Sequence, residues 1–171
     1  SFEIVIGLKG TAYIQQDDQQ YEVVPGKVLL LFPGHVHLGY TVSTEEVAFF
    51  WVHFQIRDEY EIIDHKDAFS KILPLQSSPF TSRLNESILI PTFSTMDNKE
   101  RISILTTQLL HTSQAKYYTP YACDYLITLL LVELSQQVIE SAFKSMDEDK
   151  YENNKFINIL EYIRINIYRD I

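Results

Sequence analysis

The chain has 171 residues, 46% of them hydrophobic and 13% aromatic, enough for one domain with its own core and too apolar for a disordered segment. Its formal net charge of −9 opposes binding to a polyanion, because nucleic-acid readers neutralise phosphates with Lys and Arg. The single cysteine, Cys123, excludes an internal disulfide framework, fits a reducing compartment and lies in an apolar helical run where a packed thiol is expected.

Up to about Ile56 the hydrophobic period is that of strands. The runs FEIVIGLKG, TAYIQQ, QYEVV, GKVLLLF, HLGYTV and VAFFWVHFQI are rich in Val, Ile, Tyr and Phe, and turn signals at Gly10, Asp17-Asp18, Pro25-Gly26, Pro33-Gly34 and Ser43–Glu46 separate them. Short antiparallel strands at this spacing predict a sandwich or small barrel. VLLLF and VAFFWVHF are apolar at nearly every position, so both faces of that sheet are expected to be covered. A short helix around Asp64–Leu73 and one more strand over SILIPTF (Ser87–Phe93), returning to the sheet, are expected next.

The period then changes to that of helices. Asp97 or Asn98 can cap a helix through Ser113, with Ile102, Leu105, Leu109 and Leu110 inward. Thr119, followed by Pro120 at the first helical position, opens a long helix through about Ala142. KSMDEDKYENN (Lys144–Asn154) reads as a solvated linker, and KFINILEYIRINIYRDI begins another amphipathic helix with Phe156, Ile159, Ile163 and Ile167 on one face. That last helix lacks a partner to bury against, so the chain reads as a fragment. No signal-peptide pattern opens it, and the strongest apolar run, YLITLLLVEL (Tyr125–Leu134), falls short of the about 20 residues that span a bilayer. A cytoplasmic location without a membrane partner is expected.

Two motifs carry chemistry. LLLFPGHVHLGY (Leu29–Tyr40) sets two histidines one residue apart after a Pro-Gly turn, and FFWVHF (Phe49–Phe54) brings a third. Strand alternation puts Phe49, Trp51 and His53 on one face of the latter and Phe50, Val52 and Phe54 on the other. The first set, with the chain's only tryptophan, suits a ligand cavity; the second suits packing under helices. The plainer reading of Trp51 is a ring that fills the barrel. No G-x-S-x-G, phosphate-cradling glycine loop or C-x-x-C is present.

The succession VVPGKVLLLFPGHVH, FFWVHF, ILIPTF, an α-hairpin containing YLITLLLVELSQQV, a polar linker and FINILEYIRIN resembles the N-terminal regulatory domain of AraC/XylS-type transcription regulators. The resemblance implies an α+β fold, a cupin-like antiparallel barrel or sandwich followed by a C-terminal α-helical hairpin. The barrel would bind a small effector and the hairpin would dimerise. On this reading residues 1–95 are the barrel, 96–143 the hairpin, 144–154 the linker and 155–171 the start of a DNA-binding domain. DNA would be reached only through a helix-turn-helix pair absent from this chain, and the family's arm and first strand are expected to lie before Ser1.

A metal-binding cupin needs three imidazoles and a carboxylate a few residues past H-x-H. After His37 come Leu38, Gly39, Tyr40 and Thr41, and the next acid, Glu45, falls in a turn. In the Pro-Gly-x-x-His pattern only His37 faces inward, and His35 points to solvent. Two nitrogens without an acid are a poor zinc or iron site. The expectation is therefore no metal, no cofactor and no catalysis; the alternative is a small metal-dependent cupin enzyme, an isomerase or dioxygenase. In the resembling family, sugar sensors place a tryptophan against the effector where Trp51 falls. Tyr13, His37, Phe49, Trp51 and His53 are accordingly expected to bind a small polar effector, favouring a neutral saccharide: an indole stacks on the C–H face of a sugar while imidazoles and a phenol address its hydroxyls. In the long helix Leu126, Leu130, Leu134 and Val138 are expected to pack inward, leaving Tyr121, Tyr125, Thr128, Val132 and Ser135 to meet a second copy across a two-fold axis.

Overall fold

A computed structural model describes residues 1–57, 59–77 and 87–167, with the backbone alone along 76–77 and 146–167. The strands are β1 (Phe2–Lys9), β2 (Ala12–Gln16), β3 (Gln19–Val23), β4 (Lys27–Leu31), β5 (His37–Gly39), β6 (Ala48–Phe54) and β7 (Phe93–Thr95); the helices are α1 (His65–Ser77), α2 (Lys99–Gln114) and α3 (Tyr121–Ile167). Two antiparallel sheets form, with strand orders β6-β1-β4-β7 and β3-β2-β5. This is the expected α+β, cupin-like arrangement of two facing sheets with helices on one outer face.

Alternation along β1 and β4 builds two separate cores. Val5, Leu29 and Leu31 meet Ala12 and Val23 between the sheets, joined by Ile14, Tyr21, Val47 and Phe93. Phe2, Ile4, Ile6, Val28 and Leu30 point the other way and pack with Ile102, Leu105, Leu109, Leu130, Leu131 and Leu134 of α2 and α3. The near-continuous apolar runs are thus covered on both faces. Gly7 is required where β1 passes the end of β3, because a Cβ there would lie 2.2 Å from the Val24 carbonyl oxygen.

The hairpin between β2 and β3 holds Asp17 at φ 50°, a left-handed conformation that Asp tolerates better than most residues. Its backbone N–H donates to the Val36 carbonyl at 2.9 Å, tying this hairpin to the β4–β5 turn. The strand expected over Ser87–Phe93 begins only at Phe93 and runs on to Thr95; ahead of it Pro91 has no N–H to give a ladder. It does return to the sheet, pairing Phe93 with Leu29 and Thr95 with Lys27.

Helix starts follow their caps. Asp64 Oδ1 accepts from the Asp67 N–H at 2.8 Å ahead of α1, and Asn98 Oδ1 accepts from the Arg101 N–H at 3.1 Å ahead of α2. Ile102, Leu105 and Leu109 are buried as expected, but Leu110 is exposed. On α3, Leu130 and Leu134 are buried, and Leu126 packs at the margin of the same core.

Two polar residues lock α3 to the start of α2. Gln137 Oε1 accepts from the N–H groups of Asp97 and Asn98 at 3.1 and 3.3 Å, and buried Glu133 pairs with Arg101 Nε at 2.7 Å. By length and composition alone, Tyr121–Ser145 is long and apolar enough to cross a membrane, with mean hydropathy 1.4; the shorter run read from the sequence understates it. In this fold one face of that stretch is core. The helix also runs unbroken through the residues expected to form a linker. That segment contains neither Pro nor Gly, and its two Glu, two Lys and one Met are good helix formers. The shared face expected at Phe156, Ile159, Ile163 and Ile167 lies outside the described side chains, and 168–171 lie outside the described residues.

Candidate ligand-binding site

The register of β1 on β6 sets Glu3 against His53, Val5 against Trp51 and Gly7 against Phe49. All six therefore share the inner face, while Phe50, Val52 and Phe54 lie in the helix-covered core. His37 enters from β5, paired with Gln16 of β2. Gln16 is itself buried, and its Oε1 accepts from the Phe32 N–H at 2.7 Å, which anchors the turn that delivers His37.

Four of the five expected site residues come together. Trp51 stacks on His53 with ring centroids 5.4 Å apart and planes at 24°. Phe49 lies 6.1 Å from Trp51, and His37 meets it edge-on at 6.5 Å. Trp51 is half exposed, so its ring does not fill the barrel. Trp51 and His53 also line a groove of about 640 Å³ along the outer edge of β6, closed on its far side by Leu109 of α2 and by Cys123 and Ile127 of α3. That volume falls within the range of small-molecule sites, about 300–1,000 Å³. A second cavity of about 740 Å³ lies behind the sheet, among Phe2, Phe54, Ile72, Ile90, Leu134 and Val138, and shares none of the imidazoles or the indole of the cluster.

Tyr13 does not join them. Ala12 and Ile14 take the inner face of β2, so Tyr13 projects outward and packs edge-on against Tyr40 at 5.6 Å. Desolvation raises the Tyr40 phenol pKa above its usual value, and Glu22 and Tyr13 add to that shift. His35 is turned outward as expected, but its Nδ1 lies 2.5 Å from Asp17 Oδ2. That hydrogen bond is the main cause of the lowered Asp17 carboxyl pKa, with the His35 charge and the Val36 N–H assisting.

The residue missed in the sequence is Glu3. Its side chain is buried on the inner face, where Oε2 accepts from Trp51 Nε1 at 2.7 Å. His37 Nε2 lies 3.4 Å from Oε2, and His53 Nδ1 lies 3.5 Å from Oε1. The available signal was a lone acid at an inward position of an otherwise apolar strand, FEIVIG. Among the described residues no group of three or more His, Cys, Asp or Glu is arranged to hold a metal ion. What the cluster offers is an aromatic platform beside a carboxylate and two imidazoles, suited to binding a polar molecule with an apolar face.

On α3, Tyr121, Tyr125 and Val132 are exposed large apolar groups, continued by Leu129. Thr128 is exposed between them. Ser135, expected on this stripe, is buried instead, and its Oγ accepts from the Leu89 N–H at 3.0 Å. The segment before β7 covers it.

Facing sheets with a helical hairpin packed behind one of them, and an aromatic cluster on the inner face, define a cupin-like binding domain. Residues 1–112 match the family model described as AraC-like ligand binding domain, and the chain belongs to that family. Over 53 residues it is 34% identical to a protein of Bacillus subtilis (strain 168) described as the uncharacterized HTH-type transcriptional regulator YisR. That stretch is 31% of this chain and 18% of the relative, so the match spans under a fifth of that protein.

Proposed function

We propose that the chain is the effector-sensing and dimerisation part of a cytoplasmic AraC-type transcription regulator, and that its effector is a small saccharide held against Trp51 by Phe49, His37 and His53. The observation that carries the reading is the half-exposed indole flanked by two imidazoles on the inner face of the sheet. A ring this open is available to stack on the C–H face of a sugar, and imidazoles are groups that can hydrogen-bond its hydroxyls. Membership of the family supports a ligand-binding role, and the helix-turn-helix description of the Bacillus relative supports a regulator. DNA contact belongs to parts of the regulator outside this chain. The segment 1–95 acts as the sensor and 96–143 as the dimerising hairpin, with 144–154 connecting to a DNA-binding domain that begins near 155. No step of chemistry is assigned to it, in contrast to a metal-dependent cupin isomerase or dioxygenase.

Trp51 is the only tryptophan, so its fluorescence reports on the site directly. A panel of neutral sugars titrated against the chain should contain one that perturbs this signal and raises the melting temperature by mass action. Absence of any response across the panel would refute the saccharide assignment.

Dimerisation is assigned to the stripe Tyr121, Tyr125, Thr128 and Val132, with Leu129 beside it, because these residues leave an apolar face that the domain does not cover. Sedimentation should show a dimer at micromolar concentration that Val132→Glu dissociates. A wild-type monomer under those conditions would remove the seam.

A further inference from the structure

We propose that Glu3 is the specificity-determining residue of the Trp51 site, selecting ligands that present an amine or clustered hydroxyls and rejecting those that carry a carboxylate or phosphate. The inference rests on the reading that a polar effector sits against Trp51. Glu3 is 8% exposed, and a carboxylate offers about four acceptor positions. One is taken by Trp51 Nε1 at 2.7 Å. His37 Nε2 and His53 Nδ1 stand at 3.4 and 3.5 Å, within ion-pair reach but beyond the usual hydrogen-bond length of about 2.7–3.2 Å. Among the described residues no Lys or Arg comes within ion-pair distance of it.

An anion held away from water with unfilled acceptor positions is unfavourable, and a donor that enters the site relieves it. An ammonium does so with a charge-assisted bond, and it also finds the part of Trp51 that His53 leaves open, beside Phe49. A sugar hydroxyl does so more weakly. A carboxylate or phosphate meets a like charge, and among the described residues the groups beside it that can carry positive charge are the two imidazoles already set against Glu3. Nδ1 of His37 is buried and without a hydrogen-bond partner. A role confined to holding the indole would need only an oxygen at Oε2. Glu3→Gln keeps that oxygen and removes the charge, so it separates the two roles.

The test is a titration of the intact chain, followed by Trp51 fluorescence, with matched sets of sugars: glucose, glucosamine and glucuronate, then galactose, galactosamine and galacturonate. The expected order of affinity is amino sugar, neutral sugar, uronate, spanning about tenfold or more from first to last and collapsing in Glu3→Gln. Collisional quenching of Trp51 by caesium and by iodide measures the same charge selectivity with no sugar present. The caesium-to-iodide ratio should fall in Glu3→Gln. A uronate that binds as tightly as its amino sugar, or a quenching ratio unchanged by Glu3→Gln, overturns the proposal. Quencher selectivity that depends on Glu3 alongside a silent sugar panel supports Glu3 while refuting the saccharide reading. Should Glu3→Gln fail to fold, the wild-type order of the sugars still decides, and a uronate at the top overturns the proposal.

Discussion

The two faces of the β1–β6 ladder come from the same fifteen residues and behave as different materials. On the outer face Phe2, Ile4, Ile6, Phe50, Val52 and Phe54 form part of a continuous apolar core under α2 and α3. On the inner face Glu3, Phe49, Trp51 and His53 alternate with them residue by residue, yet the three β6 side chains are substantially exposed. The period of two along a strand is what lets stability and recognition occupy one ladder without competing for positions. Behind the sheet the face is core throughout; on the inner face Val5 joins the core between the sheets, and the β6 side chains are left free to include groups that a core would reject.

The comparison breaks most visibly on its outer side. Ile4→Ala empties a site of 0% exposure, and such truncations lower stability by about 2–5 kcal/mol. Thermal or urea denaturation should show that loss, which for a chain this size is a shift in Tm of about 4 °C or more. A change within error would mean that the helices do not bear on this face.

An ion pair belonging to neither face supplies the smallest effect and a control. The Asp17 carboxyl is held below its ordinary value of 3.8 by His35. A depressed carboxyl contributes stability that is present above the ordinary value and lost as pH falls through the lowered one. Asp17→Asn should therefore melt slightly below the wild type at neutral pH, and the difference should close in acid below that point. The pair is exposed, so the effect is expected to be small and sensitive to salt. A difference that widens in acid would contradict the assignment.

How much of this could be read from the sequence depended on the range of the interaction. Local signals held: Asn98 capped α2, Pro120 preceded α3, and alternation put Phe49, Trp51 and His53 on one face. Errors arose where a distant partner decided. Tyr13 could lie on either face of β2 until pairing with β3 and β5 set Ala12 and Ile14 inward. Glu3 gained its meaning from His37 and Trp51, which are remote in sequence and meet it only in the fold. Helical spacing placed Ser135 on an exposed stripe, but spacing carries no information about the segment that packs over it. Polarity marks the charged run after Lys144 as a linker, yet it contains neither Pro nor Gly, so nothing in it breaks a helix.

The most direct test uses neighbours on opposite faces. Phe50→Ala and Trp51→Ala are melted in the absence and presence of the sugar that perturbs Trp51 most strongly in the wild type. Phe50→Ala should lose about 5 °C or more in Tm, as a core truncation does, while keeping the ligand-induced rise. Trp51→Ala should lose less than Phe50→Ala, its cost being the hydrogen bond it withdraws from Glu3, and should lose that rise. The reverse pattern, with Trp51→Ala unstable yet still raised by the sugar and Phe50→Ala stable, would contradict the division of the ladder into a structural face and a binding face.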